Sequence, residues 1–209
     1  MKNVFFIITA FLSFTTFIAC NKDTTTNNIT GIVLQPHDAN RMMDSMHAMM
    51  DRMEAMTMTM DPDNDFAEMM MMHHEGAINM AGVELTAGGN DSLKRFARKV
   101  IRDQEMEMMA FGSILMTLTV DTMDMAYMDE QMANMEKTAK AADVQIITGD
   151  IDNDFATLMM VHHQSAIDDA SGYLHHGSNA QLKVIANNII TAQTMEIREL
   201  ADWLKANRR

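Results

Sequence analysis

The sequence predicts an all-α protein, a four-helix bundle built by internal duplication with a short Met-rich helix ahead of each copy. Three observations predict it. DNDFAEMMMMHHEGAINMA from Asp63 returns as DNDFATLMMVHHQSAIDDA from Asp152, and 22 of the 50 positions from 63 to 112 are identical to their partners 89 residues on. Within each copy, apolar residues recur at steps of three and four, the helical period. Both prolines, Pro36 and Pro62, lie outside the segments that carry this period. Two long helices per copy, twice over, close as a bundle with pseudo-twofold symmetry.

The elements follow in chain order. Residues 1–19 read as a signal peptide, with Lys2, an apolar run from Val4 to Ile18 and small Ala19. That run is too short for the roughly 20 residues of a membrane span. Phe17-Ile18-Ala19-Cys20 resembles a bacterial lipoprotein signal, in which Cys20 becomes the lipidated first residue. Residues 20–37, polar and rich in Thr and Asn, read as a flexible tether. The duplicated helical domain takes residues 38–209, with copies at about 38–118 and 122–209. A Met-rich helix over Asp38–Thr59 opens the first copy, and Tyr127–Ala142 is its counterpart. The first long helix runs from Asp65 to Ala87 (Asp154 to His176). Asp63 or Asp65 and their partners cap its start, and Gly88 (Gly177) ends it as a left-handed cap. The second long helix begins after Asn90 (Asn179). Leu93, Ala97, Ile101 and Gln104 on it match Leu182, Ala186, Ile190 and Gln193.

Composition excludes several function classes. Sixteen basic residues against 29 acidic ones leave a net charge of −13, which argues against nucleic acid as a partner. A single Cys excludes an intrachain disulfide and a Cys-based zinc site. Glu-x-x-His, His-Glu-x-x-His, Gly-rich phosphate loops and the Gly-x-Ser-x-Gly elbow are all missing. No motif argues for catalysis.

Two constellations remain. His74 and His163 lie on the helical stripe that faces the core, with His73 and His162 about 100° round the helix at its edge. Gln104 with Glu107, and Gln193 with Glu196, stand three apart on the second helices. Buried imidazole, amide and carboxylate need one another, a metal or water. A satisfied hydrogen-bond network and a metal site both fit this pattern. The other constellation is methionine, 27 residues against 11 Leu. Met42, Met46, Met49, Met53, Met56 and Met60 follow helical steps, with Met43, His47 and Met50 as a neighbouring row. Leu would pack with better-defined rotamers, whereas thioether sulfur is soft and prefers Cu(I). Met43, Met46, His47 and Met50 are therefore expected to converge as a Cu(I) site.

The doubled HHxxAI pattern at His73–Ile78 and His162–Ile167, each followed by a helix with Gln-x-x-Glu, resembles the ferritin-like domain-of-unknown-function family 305. The resemblance covers about Asp38 to Trp203. It implies a ferritin-like fold and, from some Met-rich members linked to copper tolerance, copper binding outside the cytoplasm. Carried onto this chain, it implies His73, His74, His162 and His163 as metal ligands, with Met70, Met159, Glu107 and Glu196 beside them. Position 164 is Gln where the first copy has Glu75, so a role for Glu75 is not symmetric.

The expected function is an extracytoplasmic copper-binding protein that buffers or carries copper, Cu(I) before divalent metals, through Met and His. It is expected in a bacterial cell envelope, meeting the membrane through a lipid anchor only. A homo-oligomer and a copper-handling partner protein are the partner classes left open. A metal-dependent oxidase in the bundle core and a metal-free Met-rich interaction module are the rival readings.

Overall fold

A computed structural model describes residues 35–207. The signal peptide, Cys20 and most of the tether lie outside the described residues. Six α-helices follow a short 3-10 turn at His37–Ala39: α1 Arg41–Ala55, α2 Pro62–Ala87, α3 Asp91–Leu115, α4 Met125–Asp143, α5 Ile151–His176 and α6 Ala180–Ala206. Helices α2, α3, α5 and α6 form the bundle. Among the described residues, no helix is long and apolar enough to cross a membrane.

Side-chain caps start the helices. Asn40, Asn90 and Asn179 each accept from two backbone N–H groups of the first turn of α1, α3 and α6. Asp61, followed by Pro62 at the first helical position, does the same for α2, and Asp150 accepts from Asn153 N at α5. Each such cap stabilises by about 1 kcal/mol. The expectation that Asp63 or Asp65 caps α2 is corrected, because the helix begins earlier. Asp65 reaches back to the N–H groups of Thr59 and Met60 and to the Thr59 hydroxyl. Asp154 repeats these bonds with Thr148 and Gly149. The carboxylate folds the preceding chain into a tight turn, in which Met60 (φ 68°) and its counterpart Gly149 (φ 76°) are left-handed. That turn ends α1 at Ala55, short of the expected Thr59.

Asp63 and Asp152 join the two copies. Asp63 accepts from Tyr173 Oη (2.6 Å), Ser178 N and Asn179 N at the α5–α6 turn. Asp152 accepts from Gly89 N and Asn90 N at the α2–α3 turn. Helices α2 and α5 therefore run antiparallel, the start of each tied to the end of the other. Phe66 stacks on Tyr173 with ring centroids 4.1 Å apart.

Gly88 and Gly177 end their helices as expected, for a different reason. Their φ is −66°, so no left-handed cap is present. A Cβ on Gly88 would stand 2.3 Å from Glu84 Oε1, and one on Gly177 would stand 2.1 Å from Tyr173 Cε2. Close approach by the side chain four residues earlier demands glycine there.

Two apolar cores fill the bundle. One, at the α2 start and α5 end, holds Phe66, Met70, Phe111, Tyr127, Tyr173, Leu182 and Ile189. The other, at the opposite end, holds Met69, Met80, Phe96, Val100, Phe155, Leu158 and Met159 together with six Met of α1. α1 packs on α2, α4 and α5, and α4 packs on α5. The midpoints of α2 and α5 fall between the two cores.

Candidate metal centre

Four imidazoles occupy that middle layer, and all four are fully buried. They form a row. His74 and His73 centroids are 6.5 Å apart, His73 and His162 3.8 Å, and His162 and His163 6.0 Å. A carboxylate closes each end: His74 Nε2 lies 2.7 Å from Glu107 Oε2, and His163 Nε2 lies 2.9 Å from Glu196 Oε2. The row thus runs from α3 across α2 and α5 to α6. His73 and His162 are not at the edge of a buried stripe, as adjacency suggested. Each of α2 and α5 is covered on two sides, so neighbouring residues about 100° apart are both interior. His74 faces its own copy and His73 faces the other.

Protonation follows from these contacts. Burial, reinforced by the neighbouring imidazoles, holds His73 and His162 well below the ordinary histidine range, so both are neutral. His162 Nε2 lies 2.9 Å from the His73 carbonyl oxygen. A carbonyl only accepts, so Nε2 carries the hydrogen and Nδ1 keeps a free lone pair. Burial pushes Glu196 up, but His163 and Lys99 outweigh it and keep the carboxyl below its usual value. Lys99 of α3 pairs with Glu196 of α6 and joins the copies again.

The layer has more polar atoms than partners. His73 Nδ1 and Nε2, the Nδ1 atoms of His74, His162 and His163, and Oε1 of Gln104 and Gln193 are buried without a hydrogen bond. Such groups cost about 1–3 kcal/mol each when left unpaired. A borderline metal fits them, since neutral imidazole is the commonest metal-binding side chain and suits copper and zinc. A carboxylate at the far nitrogen, hydrogen-bonded from His74 to Glu107 and 2.9 Å from His163 at Glu196, is the usual support for a ligating histidine. Met70 and Met159 stand one turn before His74 and His163 and are buried. Among the described residues, no three His, Cys, Asp or Glu side chains converge closely enough to hold a metal ion by themselves. A full coordination shell here draws on thioethers or on a small movement of the rings.

The α1 set divides between core and surface. Met43, Met46 and Met50 are buried in one apolar core. The His47 side chain remains 45% exposed, with Nε2 3.2 Å from Asp143 Oδ1 of α4. That contact engages its Nε2 across the seam between α1 and α4. Met49 shows how closely the sulfurs pack: its Sδ would lie 2.7 Å from a Cβ on Gly76. At the corresponding place in the second copy, Thr138 Oγ1 donates to Ser165 Oγ at 2.8 Å. Methionine fills the seam in one copy, and a hydroxyl pair fills it in the other.

Sequence reading overlooked Lys99, Glu84 and Tyr173, and it gave Asp63 and Asp152 a capping role in their own helices, not the cross-copy one they have. The 89-residue offset carried a signal for the acids, since Asp63 and Asp152 are identical and flank helix starts. Nothing local pointed to Lys99, whose partner is 97 residues away.

The family model described as "Domain of unknown function (DUF305)" matches residues 20–115 and again 116–204, and the chain belongs to this family. No curated protein matches it. Among solved structures, the chain is similar to CopM in the Ag-bound form obtained by soaking (26% identity, TM-score 0.54) and in the Cu(II)-bound form (28%, 0.54). It is also similar to CopM in the Cu(I)-bound form (27%, 0.52). Each match covers 69% of this chain and 96% of CopM. The expected family and the helical, duplicated bundle are borne out, and the likeness is to a metal-binding protein.

Proposed function

We propose that this DUF305 member is an extracytoplasmic copper-binding protein, a buffer or carrier that holds copper through His and Met with a preference for Cu(I). The carrying observation is the buried row of four imidazoles with free ring nitrogens, backed at each end by a carboxylate. The two central rings are neutral, so they bind a cation without first releasing a proton. The low dielectric of the layer and the thioethers beside it favour a soft, singly charged ion over a hard divalent one. The likeness to copper- and silver-bound CopM supports the same reading. So does the preference for Met over Cys in a chain expected to be lipid-anchored at Cys20 in a cell envelope, where thiols oxidise.

The bundle-core row, with Met70 and Met159, is favoured over the α1 set because its ring nitrogens are buried without partners, whereas His47 is 45% exposed and engaged by Asp143. The test is metal loading of the full chain with Cu(I), Cu(II), Zn(II) and Fe(II). The parent is compared with a His73→Ala/His162→Ala variant and with a Met43→Leu/Met46→Leu/Met50→Leu variant. The expected result is a loss of at least one Cu(I) equivalent in the histidine variant and none in the methionine variant. Unchanged Cu(I) binding in the histidine variant sinks the core assignment. No Cu(I) binding by the parent sinks the function.

A further inference from the structure

Glu84 of α2 and Tyr173 of α5 occupy the same position in the two copies, 89 residues apart. Both are fully buried. Tyr173 donates its hydroxyl to Asp63, whose carboxylate holds the turn between α5 and α6. Glu84 lies within side-chain hydrogen-bonding reach of Asp152, whose Oδ1 holds the turn between α2 and α3. The architecture therefore asks for an O–H donor at position 84, and the residue there is a carboxylic acid. No N–H or O–H group reaches either Glu84 oxygen, though both are buried. Gly88, like Gly177, is glycine because the side chain four residues earlier lies over it, so Glu84 is held in place as Tyr173 is.

We propose that Glu84 is a proton-binding site at the junction of the two copies. As a neutral acid it donates its O–H to the Asp152 carboxylate and clamps the start of α5 to the α2–α3 turn. The charged groups around it are Asp152 and Asp150 at the start of α5 and Lys94 on α3. The two aspartates oppose ionisation and Lys94 assists it. Burial and Asp152 prevail, and Glu84 is pushed up to about 8. A carboxyl raised on folding stabilises fully below its unfolded value, and that stability is lost as pH rises through about 8. At alkaline pH two carboxylates face one another at the same buried contact and the clamp releases.

The experiment is denaturant unfolding of the full chain between pH 6 and pH 9, for the parent, Glu84→Gln and Glu84→Tyr. Each substitution replaces the acid with a neutral donor. The unfolding equilibrium constant of the parent should rise across this range by about tenfold or more beyond that of either variant. Asp169, a buried carboxyl pushed up to about 7, titrates in all three proteins and cancels from the comparison. A parent and Glu84→Gln with the same pH slope would overturn the proposal. Should neither variant fold, the carbon NMR titration of the Glu84 carboxyl in the parent decides. A midpoint above 6 supports the proton site, and one in the ordinary carboxylate range refutes it.

Discussion

Alanine at Gly177 and alanine at Gly82 should change stability in opposite directions. The backbone of Gly177, at φ −66° and ψ 158°, suits any residue. By the usual entropy argument, Gly→Ala there should stabilise by about 0.4–1 kcal/mol. The surroundings reverse the sign. The new Cβ would meet Tyr173 Cε2 at 2.1 Å and Cζ at 2.2 Å, so the ring has to leave. Moving it breaks the 2.6 Å bond from Tyr173 Oη to Asp63, worth about 1.5–3 kcal/mol for a charged acceptor. It also breaks the stack on Phe66, worth about 0.5–1.5 kcal/mol. After the entropy gain, Gly177→Ala should destabilise by about 2–3 kcal/mol. Gly82, inside α2, has no atom within 4 Å of its would-be Cβ. Gly82→Ala should therefore stabilise by about 0.5–1 kcal/mol. Urea midpoints at constant m-value measure both. In a domain of this size the pair should be separated by roughly 5–15 °C in Tm. A Gly177→Ala variant as stable as the parent would refute the close-approach account of both terminal glycines.

Three further outcomes are expected. Because His73 and His162 are held well below the ordinary histidine range, Cu(I) affinity measured by competition should stay level from pH 7.5 to about 6. It should fall only at more acid pH, as the buried rings begin to take up protons. The same depressed values mean that folding stability declines as pH falls below the unfolded histidine value, since the unfolded chain takes up protons that the core refuses. Met60→Gly should stabilise by about 0.5–1 kcal/mol in denaturant unfolding, because φ 68° strains a side-chain-bearing residue. Its counterpart, Gly149, already shows the relaxed form of that turn. No gain would show that contacts of the Met60 side chain offset the strain.

The duplication, the helix count and the interior position of His74 and His163 were all legible in the sequence. They are properties of period and spacing, which a chain displays locally. The resemblance that suggested family membership rested on the same doubled motif. Methionine usage was equally visible, but its meaning was not. The α1 sulfurs at helical spacing were expected to gather around His47; they form the core of one end of the bundle, and His47 beside them is engaged by Asp143.

Length, charge, period and the 89-residue repeat by themselves determined an all-α duplicated bundle and placed two histidines of each copy near its core. Tertiary structure alone decided which of them meet. Antiparallel packing of α2 on α5 brings His73 to His162 from 89 residues apart and turns each pair of neighbours into a link of one buried row. It also sends Asp63 and Asp152 to cap turns in the opposite copy and sets Glu84 against an aspartate where its twin is a tyrosine. Helical period specifies the direction a side chain takes from its own axis. Its partner, and hence its protonation and chemistry, depends on where the other helices lie.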